Sequence, residues 1–271
     1  MIDDPVTRQP YPDDPYITPE SAILPLSSMF PNITFYFRLC MILNAASNSA
    51  KKGLYTSDAW ITSSSNIRAA LEKSGIKLTV EGFNNFKNID GPCVFVGNHM
   101  STLETMVLPS LIRPFRPVNF VIKESLLRYP VFHHLMRSRE PIVVERKDAR
   151  ADFNAVMLGG VDNLSRGISV IVFPQSTRMP GLSRRHFNSM GVKLARKANV
   201  PIVPVALRTD AWGMNGLFGL LKDHGPLHPE IPVNLRFGKP IAITGNGKTE
   251  HEEVYSFIEQ CLTEWGLKPE E

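Results

Sequence analysis

The sequence predicts an α/β fold, a single domain whose largely parallel central sheet is flanked by helices. From about residue 78 onward, short β-branched runs alternate with longer segments of helical period, the pattern that places crossover helices between parallel strands. The helices then cover both faces of the sheet. No internal repeat or low-complexity linker divides the 271 residues, enough chain to enclose one sizeable core.

Each element follows from local chemistry. Residues 1–21 are rich in proline and aspartate and lack the apolar content to fold alone, so they read as an irregular arm. Ile33 to Ala46 is helical, with large apolar groups on most of its circumference, which suits either a buried helix or an interfacial one. The longer apolar stretch Ala22 to Ala46 is interrupted by Pro25, Pro31 and Arg38, and its clean part is shorter than the roughly 20 residues of a membrane-spanning helix. An N-terminal helical segment that associates with a membrane surface without crossing it is therefore expected. Residues 1–57 make up this arm and apolar helix, and 58–271 the α/β domain. In the latter, LTVEGF, CVFVG, VNFVI, PIVV, ISVIVF, PIVPVAL and finally VNLRF (233–237) are strand-like. Helices are expected over 102–112, 124–138, 150–166, 187–199 and near 250–265.

Bulk properties narrow the functional classes. Hydrophobic residues at 43% and charged residues at 21% exclude a disordered, collagen-like or polytopic membrane chain. Cys40, Cys93 and Cys261 are odd in number, widely spaced and set in apolar segments, which argues against a disulfide framework or a thiolate zinc site and fits a reducing cytoplasm. The acidic, proline-rich start lacks the features of a signal peptide. The net charge is +4, of which the first twenty residues contribute −4, leaving a body of +8. Arg178, Arg184, Arg185, Lys193, Arg196 and Lys197 follow one another with no acid between, which suits either a solvated face or a surface for phosphates, anionic lipid or nucleic acid.

The candidate chemistry begins at Asn98-His-Met-Ser-Thr-Leu-Glu104, just past the strand Cys93–Gly97, where α/β folds expose functional groups. His99 and Glu104 are five apart across a strand-to-helix turn. The carboxylate can reach back to one imidazole nitrogen and leave the other free to take a proton, the base-and-orienter half of a triad. Asn98 and Ser101 supply polar neighbours. The same residues also read as a capping box, with Ser101 at the helix start and Glu104 returning to its amide. Further along, Lys123 and Arg146 are cations at strand ends. Pro174-Gln175-Ser176-Thr177-Arg178 is a tight polar loop that follows a proline-stopped strand and presents hydroxyls, amides and a guanidinium.

Four blocks in this order, NHMSTLE, the segment ending at Arg146, FPQSTR and VPIVPV, resemble the glycerolipid acyltransferase family that includes the glycerol-3-phosphate and lysophosphatidate acyltransferases. The similarity spans roughly residues 78–240. In the family the blocks read NHxSxxD, a Lys-containing segment ending in Arg, FPEGTR and VPxxPV. The resemblance implies an O-acyltransferase that moves a fatty acyl group from acyl-CoA or acyl carrier protein directly to a lysophospholipid hydroxyl. His99 would be the general base and Glu104 would stand for the family's aspartate. Arg146, Arg178 and Lys123 would bind the acceptor's phosphate, with Asn98, Ser101, Pro174, Gln175, Ser176 and Thr177 lining its site. It also implies peripheral contact with an anionic membrane on its cytoplasmic side, and no cofactor, metal or nucleic acid.

This chain departs from the family at three places. Glu104 is one methylene longer than aspartate, Gln175 and Ser176 replace Glu-Gly, and His133 falls where many members have glycine. The Gln-Ser pair leaves open an acceptor with another head group, such as an amino-acid lipid. Outside the resemblance, a non-catalytic basic domain binding membranes or nucleic acid is the alternative. His224 and His228 flank Gly225 and Pro226, which forbid a shared helical face for a metal.

Overall fold

The computed structural model describes residues 14–128, 132–214, 216 and 224–267. The start of the predicted irregular arm, residues 1–13, lies outside them. The remainder of the arm is not irregular. Tyr16–Ile17 (β1) pairs antiparallel with Leu78–Glu81 (β2), Tyr16 opposite Val80 and Ile17 opposite Thr79. The hydroxyls of Tyr16 and Thr18 donate to Glu72 at 2.6 and 2.9 Å, and Arg68 pairs with the same carboxylate at 2.8 Å. With no core of its own, the arm uses the edge of the sheet.

The remaining strands are Val94–Gly97 (β3), Val118–Lys123 (β4), Ile142–Val144 (β5), Ser169–Val172 (β6), Ile202–Arg208 (β7) and Val233–Phe237 (β8). Together the described residues form an eight-stranded sheet of order β1-β2-β8-β7-β3-β6-β4-β5. It is mostly parallel, as expected; the antiparallel pairings are β1 with β2 and β7 with β8. Because β7, β3, β6, β4 and β5 run in one direction, their C-terminal ends share one edge. His99, Arg146, the 173–178 loop and Thr209 all follow those ends, and Lys123 is the last residue of β4.

Alternation along the strands divides the core into two layers. Phe95, Ile171, Val203 and Val205 face one cluster, whereas Val94, Val96, Val170, Val172 and Ala206 face the other. The first layer is roofed by Pro31–Lys51 (α2), Ser57–Lys73 (α3) and Leu103–Ile112 (α5). The second is roofed by Ala149–Ser165 (α7), Met190–Ala198 (α8) and Lys248–Glu264 (α9). Pro25–Met29 (α1), Phe83–Phe86 (α4) and Phe132–Arg137 (α6) are short connecting helices. Close approach of α8 to the sheet requires Gly191, where a Cβ would lie 2.6 Å from a Val96 methyl.

Most predicted helices have their counterpart within a few residues. The segment 124–138 is a 3-10 turn, Glu124–Arg128, and then α6, with residues 129–131 outside the described set. Pro130 lacks the N–H that one continuous helix would need there. The helix α3 was not anticipated: its central run TSSSN carries no apolar period, although Thr56 caps its first turn by accepting from the Ala59 amide.

The 33–46 helix has a buried side and an exposed apolar side. The helix α2 is longer than expected, opens with Pro31 in its first turn, and buries Phe35, Leu39, Leu43 and Ala46 in the same core as the strands. On the other side Ile33, Phe37 and Met41 repeat at i, i+4, i+8 and are 71%, 67% and 59% exposed. Leu26, Met29 and Phe30, which precede this ridge in the chain, are exposed apolar residues as well. No described helix is long and apolar enough to cross a membrane.

The two sides predict opposite responses to substitution. Leu39→Ala, which opens a cavity under a side chain 3% exposed, should cost about 2–5 kcal/mol in urea unfolding. Phe37→Ser on the ridge should change stability by no more than about 0.5 kcal/mol. Equal losses would mean that the ridge is covered in solution.

Candidate active site

The strand β3 delivers its chain to the C-terminal edge of the sheet, and Asn98 ends it by bonding sideways. The Asn98 amide donates to the Leu207 carbonyl at 2.7 Å, and its oxygen accepts the Leu207 amide at 2.9 Å. With no exposed surface, Asn98 thus ties β3 to β7 and faces the strands. The chain turns away from the sheet at the next residue, which leaves the His99 side chain 14% exposed above the edge.

The imidazole is held from two sides. Its Nδ1 lies 2.8 Å from Glu104 Oε1, and its ring stacks on Phe173, with centroids 4.4 Å apart and planes 10° from parallel. A carboxylate at Nδ1 places the proton there, so Nε2 carries the lone pair. Nε2 makes no hydrogen bond to any described residue.

Glu104 has no solvent exposure. Oε1 also accepts the amides of Met100 and Ser101 at 2.7 and 3.0 Å. Oε2 accepts from the Ser101 hydroxyl at 3.1 Å and the Thr209 hydroxyl at 2.6 Å. Burial alone would raise the carboxyl pKa. The hydrogen bond and charge of His99, followed by the Thr209 hydroxyl and backbone donors, outweigh it and hold the pKa below the ordinary 4.5. The capping reading and the catalytic reading therefore describe one carboxylate. Ser101 is capped by Glu104, its own hydroxyl accepts the Leu103 amide at 3.1 Å, and the same Glu104 orients His99. Ser101 is 1% exposed and serves this carboxylate.

The 173–178 loop folds over His99. Met179 N–H donates to the His99 carbonyl at 2.9 Å, and Gln175, 3% exposed, accepts the His99 amide at 3.2 Å while donating to the Gly181 carbonyl at 2.9 Å. A glutamate here would keep the first bond and lose the second, because a carboxylate has no N–H. Ser176 adopts φ +59°, the left-handed region a glycine would favour. Its amide donates to Phe173 O at 3.0 Å, and Asn188 reaches its hydroxyl at 3.3 Å. The Gly-to-Ser departure thus leaves the backbone in the conformation of a glycine turn. Pro174 is buried and its carbonyl accepts from Asn188, whereas Thr177 is exposed.

The cations gather at the same edge. Arg178 donates to the Thr102 hydroxyl at 2.8 Å. Arg146 has φ +60°, and Asp152 holds this turn by accepting the amides of Glu145 and Arg146, each at 2.9 Å. Desolvation, then the charge of Arg178, lowers the pKa of the Arg146 guanidinium. Lys123 ends β4 on this edge with its side chain exposed. The sequence reading did not single out Thr209, Phe173, Thr102 or Asp152. Phe173 opens the quoted FPQSTR block and Thr102 lies within NHMSTLE; nothing in the chain pattern marks Thr209 or Asp152.

A family model described as Acyltransferase matches residues 77–208. The 1-acyl-sn-glycerol-3-phosphate acyltransferase of Pseudomonas aeruginosa is 32% identical over 133 residues, covering 49% of this chain and 50% of that protein. The enzyme of that name from Escherichia coli is 26% identical over 179 residues, covering 64% and 68%. The chloroplastic 1-acyl-sn-glycerol-3-phosphate acyltransferase BAT2 of Brassica napus is 29% identical over 131 residues, covering 48% and 37%. The chain thus spans about half, or less, of the length of the first relatives it matches. The crystal structure of the 1-acyl-sn-glycerophosphate acyltransferase PlsC from Thermotoga maritima superposes with a TM-score of 0.67 at 17% identity, covering 91% of this chain and 99% of that one. At this identity the likeness is one of fold.

The depressed carboxyl fixes a sign for the pH dependence of stability. Glu104 stabilises the fold above the ordinary value of 4.5, and this contribution is lost as pH falls through its lower folded value. Glu104→Gln has no such proton to gain. The stability gap between wild type and Glu104→Gln should therefore be largest near pH 7 and narrow toward pH 3 in denaturant unfolding; a gap independent of pH would contradict a carboxylate held ionised by these donors.

Proposed function

We infer that this chain, in which the matched segment and the relatives agree on the glycerolipid acyltransferase family, is an O-acyltransferase that completes a lysophospholipid such as lysophosphatidate. The observation that carries the reading is the His99–Glu104 pair at the strand edge, with Nε2 making no hydrogen bond to any described residue and Arg178 held on Thr102 of the same turn. In the reaction the acceptor hydroxyl gives its proton to His99 Nε2 as its oxygen attacks the acyl thioester carbonyl. The tetrahedral intermediate collapses, the C–S bond breaks, and the proton leaves with the thiolate as a thiol. The ester forms in one transfer without an acyl-enzyme, since among the described residues no serine or cysteine side chain is hydrogen-bonded to His99.

Each residue has a physical part in this scheme. Glu104 stabilises the imidazolium that forms, and its burial strengthens that interaction. Arg146 and Arg178 suit the acceptor's phosphate through charge-assisted, bidentate hydrogen bonds, with Lys123 as a further cation at the rim. Acyl-CoA or acyl carrier protein supplies the thioester. The exposed apolar residues Leu26, Met29, Phe30, Ile33, Phe37 and Met41 support a peripheral dock on the cytoplasmic side of an anionic membrane, where both substrates' acyl chains reside.

The reading is tested by incubating the protein with mixed acyl donors and a panel of lysolipids and identifying the products by mass spectrometry. Diacylated phosphatidate should form from lysophosphatidate. His99→Ala should lower kcat by about 10²-fold or more, the range of general base catalysis. Glu104→Gln, which keeps shape and loses charge, should also fall by orders of magnitude. Activity of His99→Ala within tenfold of wild type would remove the imidazole from the chemistry.

The arginine pair makes a separate prediction. Arg146→Ala should raise the acceptor KM about tenfold or more, the loss of a charged hydrogen bond costing about 1.5–3 kcal/mol, while the donor KM stays unchanged. Asp152→Ala, which releases the Arg146 turn, should act in the same direction and add little in the Arg146→Ala background. Equal effects on both substrates would assign the pair to the fold or the donor site.

A further inference from the structure

We propose that Thr209 is a positioning residue for the catalytic dyad, clamping the outer oxygen of Glu104 so that the inner one stays on His99; this rests on the acyltransferase reading above. Thr209 is the first residue past β7, has no exposed surface, and donates from Oγ1 to Glu104 Oε2 at 2.6 Å. No other side chain from outside the 98–104 turn is recorded on that carboxylate among the described residues.

The need for such a clamp follows from Glu104 itself. A glutamate carries one more torsion than an aspartate, and its terminal sp² torsion is broad and two-fold rather than confined to a staggered well. Donors from the turn, the Met100 and Ser101 amides and the Ser101 hydroxyl, fix where the carboxylate sits but come from one side and one segment. Thr209 reaches it from the neighbouring strand. With Oε2 anchored there, Oε1 is left for Nδ1, and the imidazole keeps the tautomer that frees Nε2.

Thr209 is itself held. Its carbonyl accepts the Trp212 amide at 3.2 Å. Trp212 is 1% exposed, meets Phe35 of α2 edge-on at 4.9 Å, and donates its indole N–H to the Tyr36 hydroxyl at 2.9 Å. The clamp therefore stands on the buried face of the N-terminal helix.

Three substitutions separate positioning from packing. Thr209→Ser keeps the hydroxyl, Thr209→Val keeps the shape without it, and Thr209→Ala is the folded fallback should valine fail to fold. The readouts are kcat, both KM values, the melting temperature and the ¹⁵N spectrum of the His99 ring, assigned by its loss in His99→Gln. The expected result is a kcat lowered at least tenfold in Thr209→Val and Thr209→Ala with both KM values within twofold. Thr209→Ser should return to within threefold of wild type. In the spectrum, wild type and Thr209→Ser should show one tautomer with Nδ1 protonated, and Thr209→Val a mixture. Unchanged kcat and an unchanged ring spectrum in the variants lacking the hydroxyl would overturn the proposal, as would unfolding of both, which would make Thr209 a packing residue. If wild type acylates no lysolipid, the functional reading fails, and the ring spectrum still decides whether Thr209 sets the His99 tautomer.

Discussion

A carboxylate without solvent exposure lies under the imidazole of His99, and the architecture of the site can be read as the means of keeping that charge buried. An ionised carboxylate in a protein interior is tolerated only when its oxygens are met by donors. Glu104 receives them from three places: the imidazole at the end of β3, the amides and hydroxyl of the turn into α5, and the hydroxyl that follows β7. These can converge only if β3 and β7 are parallel neighbours ending at the same edge, with α5 starting directly after β3. The reciprocal bonds between Asn98 and Leu207 hold that registration beside the carboxylate. The parallel sheet, the abrupt turn after Gly97 and the buried dyad are thus mutually dependent.

The same economy appears in the cations. Burial and the charge of Arg178 both disfavour the Arg146 cation, so its backbone must be held by other contacts. Asp152 does this for Arg146 by binding two successive amides of a left-handed turn, and Thr102 anchors Arg178 from the first residue before α5. Arg178 is therefore tied to the same helix start that carries Glu104. A shift of the α5 N-terminus would move His99, Glu104 and Arg178 together.

The helix α2 links the two ends of the chain's chemistry. Its apolar residues fall on two sides, the core through Phe35, Leu39 and Leu43 and an exposed ridge through Ile33, Phe37 and Met41. Its buried side supports Trp212, and so the turn that presents Thr209. Stability, the outward apolar surface and the dyad meet in one helix, although α2 and Trp212 are far apart in sequence.

What the sequence by itself determined was whatever is written in local spacing. The alternation of strand-like and helical runs specified the α/β class and most element positions, because period 2 and period 3.6 are properties of consecutive residues. The five-residue separation of His99 and Glu104 across a strand-to-helix turn was likewise enough to pair them, and the four blocks in order pointed to the family. The same spacing left cap and catalyst as rival readings; the fold shows that one carboxylate with two oxygens meets both the turn amides and the His99 ring. Thr209, 105 positions from Glu104, carries no mark in its own neighbourhood, since its role exists only once β7 is laid beside β3. The division of α2 into a buried and an open side, the pairing of β1 with the sheet edge and the bond of Arg178 to Thr102 were decided in the same way. Each depends on which distant surfaces the fold brings into contact, and that is a property of tertiary packing rather than of any window of the chain.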